Sequence, residues 1–341
     1  MELRAPLAAL ARDDTGWQAG QDGLAQAAQT WRADPVMAPV LADMARFGAG
    51  ARLDQCPALD ALFARGSAAA QRFVTTGIAA GIAALEAHPL GQLPLRHGLG
   101  RAAATLVLAA SGRASLALSC YDEAAMRAMP APRSARFAGQ ETWLQVVAGE
   151  GEADDHRLDP AESGAARAVL HSAGVRLRAG ERFYRDERTA AWQVRAVHGR
   201  LVVLRLQRTI EDRGPAFEYA LADGALLRRT APDRRTSRME LAMAALGAMG
   251  RADAVPELVR VVEARAERAP PHPTPDDPAL RWEALRQLLV IDARAGLAQL
   301  ERLVEAPSDP LHAEAVSLRA ALLGQWPQLA GRDGQGAAWR G

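Results

Sequence analysis

The stretch Gln193-Val194-Arg195-Ala196-Val197-His198-Gly199-Arg200-Leu201-Val202-Val203-Leu204-Arg205-Leu206-Gln207 decides the fold of the middle of the chain. In its second half, Val202, Leu204 and Leu206 fall on one face of a strand with the two-residue period, and the residues between them fall on the other. The first half has a similar composition, and His198-Gly199-Arg200 carries a turn signal between the halves. The stretch therefore predicts a β-hairpin.

Weaker strand signals lie on both sides of this stretch. Each is a short apolar run bounded by a turn signal, and the Asp223-Gly224 pair suits the positive φ angles of a tight hairpin turn. Short strands at this spacing predict a mostly antiparallel β sandwich or barrel over residues 88–232. The runs are Thr105–Leu108, Ala114–Leu118, Trp143–Val147, Phe217–Leu221 and Ala225–Arg229, with a further turn signal at Gly149-Glu150-Gly151.

Helical periodicity replaces the strand pattern at both ends of the chain. Residues 1–87 place apolar side chains three and four positions apart, for example in Pro57–Ala87, which predicts an N-terminal helical region. The same period returns over residues 236–329, and residues 330–341 are predicted to form a disordered tail. The predicted fold class is therefore α+β: N-terminal helices, a central antiparallel β domain and a C-terminal helical stack.

The C-terminal helical segments resemble HEAT repeats. The strings ALGAMG (245–250) and AVPELVRVV (254–262) are similar to the end of a first repeat helix and to the second helix, and Thr236 or Ser237 is the predicted cap. Asp-Pro pairs recur 32 residues apart, at 277 and 309, within the period of helical solenoids. The insertion 269–278, with five prolines, is predicted to be a loop. The resemblance implies helix pairs that share a core and present a curved surface to other chains; a stack that only packs against the β domain is the alternative.

The β region resembles cupins. The strings Val147–Ala153 and Val175–Glu181 have that family's rhythm of a strand followed by a glycine turn. The family often binds a metal through two histidines, a glutamate and a third histidine, but the matching His-x-His is absent, and residues 138–147 supply only Glu141. The resemblance therefore implies the fold, and we expect no metal and no cofactor.

The composition excludes several kinds of chemistry. The 341-residue chain contains no Lys and no Asn, so all 41 basic residues are Arg, which fits a GC-rich genome. A lysine Schiff base and a P-loop are therefore impossible. The two cysteines, Cys56 and Cys120, form no CxxC pair. The N-terminus lacks the apolar core of a signal peptide, and the mild apolar stretch Val74–Leu85 is too short to span a bilayer, so we expect a cytoplasmic protein with no membrane partner.

Candidate ligand-binding residues are few. Arg96 and His97 lie at the entry to the β region, where an arginine beside a histidine suits a carboxylate or phosphate, although a structural junction is the alternative. Glu141 is the third candidate. The sequence has no metal-ligand motif among its seven histidines and no nucleophile motif, so no catalytic residue is assigned.

Arginines cluster where the β region ends. Arg228, Arg229, Arg234, Arg235 and Arg238 form the predicted interaction surface. Such a patch attracts nucleic acid through counterion release. The net charge is only +1 and stacking aromatics are sparse, so nucleic acid is not the expected partner. A solvated face is the plain alternative.

Three functional hypotheses follow from these observations. The leading one is a non-catalytic accessory or scaffold protein that binds another protein through the HEAT-like surface. The alternative is a small-molecule-binding or enzymatic cupin-like β domain that uses Arg96, His97 and Glu141. The third is nucleic-acid binding through the Arg-rich residues 176–238.

Overall fold

The structure is a computed structural model that describes residues 13–66, 68–163, 167–210, 214–231, 233–264 and 278–327, with Arg234 described by its backbone alone. The chain divides into two compact units, Met1–Thr230 and Ala231–Gly341, and each is described by itself. The predicted tail at 330–341 and all but the last residue of the predicted loop at 269–278 lie outside the described residues.

Helices open the first unit. They are α1 (Thr15–Ala33), α2 (Ala38–Gly48), α3 (Pro57–Leu62) and α4 (Ala68–Ala87), with a short α5 (Glu123–Arg127) further along. The predicted N-terminal helical region is confirmed from Thr15 onward, and its segment Pro57–Ala87 forms the two helices α3 and α4. Among the described helices, α4 is long and apolar enough to cross a membrane by length and composition alone, a test that core helices of soluble proteins also pass.

The described strands of the first unit all pair antiparallel, which confirms the predicted central antiparallel β region. The strands are β1 (His97–Leu99), β2 (Ala103–Ser111), β3 (Ala114–Asp122), β4 (Ser134–Phe137), β5 (Gln140–Asp159), β6 (Val169–Arg178), β7 (Arg182–Asp186), β8 (Ala190–Thr209), β9 (Ala216–Ala220) and β10 (Leu226–Thr230). The larger sheet has the order β1-β2-β3-β8-β5-β6, with β7 also paired to β5, and the smaller has the order β10-β9-β4. The hairpins β2–β3 and β9–β10 occur where the sequence predicts them.

The predicted hairpin within 193–207 is wrong, because β8 continues through Gly199 without turning back. The turn signal at Gly149 likewise falls inside β5. Both glycines have positive φ, 83° and 68° for Gly149 and Gly199, and the β5–β8 register shifts on either side of Ala148. A Cβ on Gly149 would lie 1.9 Å from the carbonyl oxygen of Arg200, so a side chain there would clash with backbone. The two signals therefore mark bends in one continuous ribbon, since bulges bend strands without ending them.

The ribbon formed by β5 and β8 folds back on itself. A straight strand would hold Gln140 and Leu158 roughly 60 Å apart. Instead, the turn after β7 bonds to both ends of β5. The backbone N–H of Glu187 donates to the carbonyl of Gln140 (2.8 Å), and that of Leu158 donates to the carbonyl of Thr189 (2.9 Å). The two halves of β5 are therefore brought around a common inner face.

Alternation along the strands gives the larger sheet two separate cores. Leu144 and Val203 are buried in a cluster on the inner face. On the outer face, Leu204 is buried with Phe47 and Phe73 of the helices. Because helices and sheet share this second core, the predicted boundary between residues 87 and 88 divides elements of one compact unit.

The described part of the second unit is helical, as the sequence predicts. Its helices are α6 (Arg234–Ala248), α7 (Val255–Glu263), α8 (Pro278–Ile291), α9 (Ala293–Val304) and α10 (His312–Gln325), and α8 packs against α6, α7 and α9. The helix cap differs from the prediction. The Asp233 carboxylate accepts hydrogen bonds from the backbone N–H groups of Arg235 (2.8 Å) and Thr236 (2.9 Å), so Asp233 caps α6.

A buried ion pair lies in the core of the second unit. The Arg281 and Asp309 side chains are 3% and 2% exposed and form a two-pronged pair, Nη1–Oδ1 at 3.1 Å and Nη2–Oδ2 at 2.7 Å. Arg281 Nε also donates to the carbonyl of Val262 (2.9 Å), and Asp309 Oδ1 accepts from the N–H of Leu311 (2.9 Å). Each buried charge is therefore compensated by an opposite charge and by backbone partners.

The substitution Asp309→Asn is expected to destabilise the second unit by roughly 3–5 kcal/mol, because it leaves the buried Arg281 guanidinium without its counter-charge. Urea unfolding of the full chain, followed by circular dichroism, measures the change. Asp253→Asn is the matched control, since Asp253 pairs with Arg251 on the surface. Equal stability of Asp309→Asn and the control would show that the pair contributes nothing.

Candidate functional site

Two of the predicted ligand residues lie at the edge of the larger sheet. The Arg96 and His97 side chains are exposed, and His97 Nδ1 lies 3.3 Å from the carbonyl oxygen of Leu95. Four strand positions separate β1 from β5, which carries Glu141, and this corresponds to roughly 19 Å measured across the sheet. The structure therefore does not bring Arg96 and His97 together with Glu141.

Glu141 takes part in a structural ion pair. Its Oε2 accepts from Arg208 Nη2 (2.7 Å) and Nε (3.1 Å), and its Oε1 accepts from the Tyr184 hydroxyl (3.1 Å). Arg208 also donates to the carbonyl of Ala51 (2.7 Å) and lies 4.2 Å from the centre of the Phe47 ring. These contacts join the sheet to the helical layer, so the carboxylate of Glu141 is engaged with protein groups.

The predicted arginine surface divides between the two units. Arg228 and Arg229 are exposed on β10, and Arg235 and Arg238 are exposed on α6, while the side chain of Arg234 lies outside the described residues. Because each unit is described by itself, a single surface formed by these residues stays a prediction.

The histidine most deeply buried in the sheet, His156, is hydrogen-bonded to other protein groups. His156 is 3% exposed; its Nδ1 lies 2.7 Å from the Ser172 hydroxyl and its Nε2 lies 3.3 Å from the side-chain oxygen of Gln193. Both ring nitrogens therefore have partners. Within the part of the chain that the structure describes, no three His, Cys, Asp or Glu side chains are grouped to hold a metal ion.

The inner face of the sheet carries a buried cation that the sequence analysis did not single out. Arg185 on β7 is 7% exposed, and its guanidinium carbon lies 4.4 Å from the centre of the Trp192 ring. Its Nε has no hydrogen-bond partner among the described residues. Burial lowers the pKa of Arg185 to about 10, although the carboxylates of Glu187 and Asp155 oppose that shift. A guanidinium held away from water without a full set of partners is chemically suited to bind an anion.

Other polar groups lie close to this cation. Asp155 is the cross-strand partner of Trp192, and its Oδ1 is buried without a hydrogen-bond partner among the described residues, while its Oδ2 accepts from Arg157 Nε (2.8 Å). Burial raises the pKa of Tyr121, and the positive charges of Arg205 and Arg185 oppose that rise. A donor and an acceptor without partners among the described residues therefore lie on the same inner face, both near Trp192.

The sequence pattern predicts the face of the strand on which Arg185 lies, but not all of its neighbours there. The run Arg182-Phe183-Tyr184-Arg185 has the two-residue period that puts Phe183 and Arg185 on one side of a strand. Phe183 and Trp192 are in contact, with ring centres 5.6 Å apart. Trp192 follows Arg185 by only seven residues, after the turn that ends β7, whereas the proximity of Asp155 to both results from the folding back of β5, which the sequence pattern does not reveal.

Comparison with known proteins gives little by sequence and a set of distant structural likenesses. No protein-family model matches the chain, and no curated protein matches it. Similar solved structures include the Drosophila melanogaster CENP-C cupin domain, at 14% identity and a TM-score of 0.25 over 33% of this chain and 74% of that one. An RmlC-like cupin from Shewanella frigidimarina has 12% identity and a TM-score of 0.22 over 35% of this chain and 87% of that one. Vicilin from Corylus avellana (hazelnut) has 14% identity and a TM-score of 0.24 over 36% of this chain, which spans about a third (32%) of vicilin.

The leading functional prediction is corrected by these comparisons. The similar structures named above include cupins and no HEAT-repeat protein, so the prediction of a non-catalytic scaffold that uses a HEAT-like surface is wrong. They agree better with the alternative, a cupin-like β domain. The HEAT resemblance of the C-terminal third finds no support in them.

The pKa values of the tyrosines predict how the fold responds to alkali. The chain has three tyrosines, and burial raises the pKa of each above 10: Tyr121, Tyr219 and Tyr184, the last to about 12 with the Glu141 carboxylate adding to the rise. Because the unfolded chain ionises first, the folded state is expected to lose stability as pH rises from 10 towards 12.

Ultraviolet absorbance of tyrosinate measures this behaviour. We expect little tyrosinate at pH 10 in the folded protein, and the last titration step to disappear in Tyr184→Phe. A native titration curve that matches the urea-unfolded chain would contradict the burial of these hydroxyls.

Proposed function

We propose that the β region of the first unit binds a small molecule that bears a carboxylate or a similar anionic group, with Arg185 as its principal partner. The observation that carries this proposal is the burial of the Arg185 guanidinium, 7% exposed, with an unpartnered Nε. The resemblance of this region to cupins is in keeping with a small-molecule function but does not identify the ligand.

In the unliganded site, the burial of the Arg185 guanidinium is energetically unfavourable. Moving a guanidinium out of water is unfavourable unless hydrogen bonds and an opposite charge replace the lost hydration. The Trp192 ring supplies a cation–π contact to one face of the group and no acceptor to its N–H edge. The carboxylates of Glu187 and Asp155 compensate the charge only in part. A bound carboxylate would supply the missing acceptor and add to that compensation, and a planar guanidinium can hold it with two parallel hydrogen bonds.

A second buried atom, the carboxylate oxygen Oδ1 of Asp155, indicates which class of anionic ligand fits the site. Asp155 Oδ1 is buried without a partner, and Asp155 pairs across the strands with Trp192, on which Arg185 lies. A ligand that offers an O–H or N–H donor near its anionic group would satisfy both orphaned atoms. We therefore propose a hydroxy acid, a sugar acid or an amino acid, with binding and not catalysis as the assigned role.

Several other sequence-based expectations stay predictions. These are the cytoplasmic location, a protein partner, the absence of a nucleic-acid or membrane partner, the role of Arg96 and His97, and HEAT-type repeats in the second unit. The proposal depends on none of them.

Matched pairs of ligands test the proposal. Thermal unfolding of the full chain is measured with lactate, glucuronate and alanine, each compared with its amide, in which an uncharged group replaces the carboxylate. At one hundred times its Kd, a bound acid stabilises the protein by about 2.7 kcal/mol, which raises Tm by several degrees. We expect at least one acid, and not its amide, to raise Tm in the wild type, and Arg185→Gln to abolish that rise.

Two controls separate binding from folding. Arg188→Gln, in the next turn, removes an exposed arginine that pairs with Asp186, and it should keep the response to the acid. Without ligand, Arg185→Gln should be as stable as the wild type or more so, because it removes an incompletely compensated buried charge. The proposal is wrong if no acid stabilises the wild type more than Arg185→Gln, or if Arg185→Gln unfolds far more easily without ligand.

A further inference from the structure

A cavity of about 190 Å³ lies on the outer face of the larger sheet, between α1 and α4 on one side and β2 and β3 on the other. Its fifteen lining residues are all Ala, Gly, Val, Ile, Leu or Trp. No charged side chain lines it, so its chemistry is the opposite of that around Arg185 on the inner face. The proposed anion site therefore does not explain it.

The cavity exists because small residues stand where large ones would fill the core. Helix α4 presents Gly77, Ala80 and Gly81 to the cavity, and α1 presents Ala27 and Ala28. Protein interiors are normally packed to the density of organic crystals, and an empty apolar cavity destabilises a protein in proportion to its volume. Open space of this size, between elements that otherwise share one core, indicates a place for a ligand.

One buried polar atom belongs to a side chain that lines this space. Trp31 lines the cavity and is 6% exposed, and its indole Nε1 has no hydrogen-bond partner among the described residues. Gly77, which also lines the cavity, is next to this nitrogen, since a Cβ added to it would lie only 3.2 Å away. Buried indole N–H groups normally have an acceptor, which here the occupant would supply.

We infer that this cavity binds a neutral, apolar molecule about the size of a substituted benzene, with one hydrogen-bond acceptor directed at Trp31 Nε1. The size follows from the volume, since an apolar cavity of roughly 150 Å³ is enough for benzene. The neutral charge follows from the lining, because an ion would lose its hydration without gaining a counter-charge. Ile78 and Ile82, 42% and 52% exposed, line the same cavity and mark its open side.

A pair of ligands of the same shape tests the role of Trp31. Acetophenone and isopropylbenzene differ by a carbonyl oxygen in place of a methyl group, and titration calorimetry on the full chain measures the Kd of each. We expect Trp31→Phe, which keeps an aromatic ring and removes the donor, to shift the ratio of the two dissociation constants about fivefold against acetophenone, the effect of losing one neutral hydrogen bond. Isopropylbenzene, which accepts no hydrogen bond, should bind the wild type and Trp31→Phe equally.

A glycine pair tests the place of binding independently of Trp31. Gly81→Leu fills the cavity; the nearest atom to its added Cβ is the end of the flexible Leu93 side chain, at 3.3 Å. Gly16→Leu makes the same change in α1, where nothing lies within 4 Å. We expect Gly81→Leu to bind neither ligand and Gly16→Leu to bind both as the wild type does, with circular dichroism checking the fold of each.

Each contrary result overturns the inference in a different way. A ratio of the two affinities that Trp31→Phe leaves unchanged shows that Trp31 donates no hydrogen bond to the ligand, and absence of binding shows that the cavity is a packing defect. Binding retained in Gly81→Leu places the ligand elsewhere. If sedimentation shows a wild-type dimer that Gly81→Leu converts to a monomer, a second copy covers the cavity and the small-molecule assignment is wrong.

Discussion

The rest of the first unit depends on the bend in the β5–β8 ribbon. Both strands have 20 residues, and the turn after β7 bonds to the carbonyl of Gln140 and to the N–H of Leu158 at opposite ends of β5. Gly149 makes the bend sterically feasible, because its lack of a Cβ admits the carbonyl oxygen of Arg200. Without the bend, Thr142, which pairs with Arg185, and Asp155, which pairs with Trp192, would lie on distant parts of β5, and the inner face would be open to water.

Because of the two-residue period of the strands, the two faces of the larger sheet carry different kinds of side chain. Along β8, Leu204 faces the helical layer while Val203 and Arg205 face inward, since successive side chains point to opposite faces. The outer face therefore packs mainly apolar side chains against the helices, with the Arg208–Glu141 ion pair as an exception, whereas the inner face also carries the buried guanidinium of Arg185. The anion site and the apolar cavity follow from that division, and substitutions at one site should leave the other unchanged.

The sequence predicts the strands and helices better than it predicts their connections. Alternation identifies the strand ending at Gln207, and helical period identifies both helical regions, because these patterns reflect local burial. The turns predicted at Gly149 and Gly199 are bends within strands instead. Sequence cannot separate the two cases, because a glycine with positive φ suits a hairpin turn and a bulge equally. Arg185 was not predicted to be a site residue, since Asp155 comes near it only after the ribbon folds back. Glu141 was predicted to be a ligand-binding residue, and only the structure shows that its carboxylate is engaged by Arg208.

Two buried arginines in this chain give the clearest reason to assign a ligand to Arg185. Arg281 has two bonds to Asp309 and one to a backbone carbonyl, the arrangement expected of a guanidinium whose purpose is structural. Arg185 is buried almost as deeply, yet its Nε has no hydrogen-bond partner in the part of the chain that the structure describes, and burial lowers its pKa to about 10. The free energy lost in desolvating Arg281 is recovered within the protein, whereas that lost at Arg185 is only partly offset. An anion that enters from solution and meets Arg185 completes the compensation, which makes the strained cation a source of affinity.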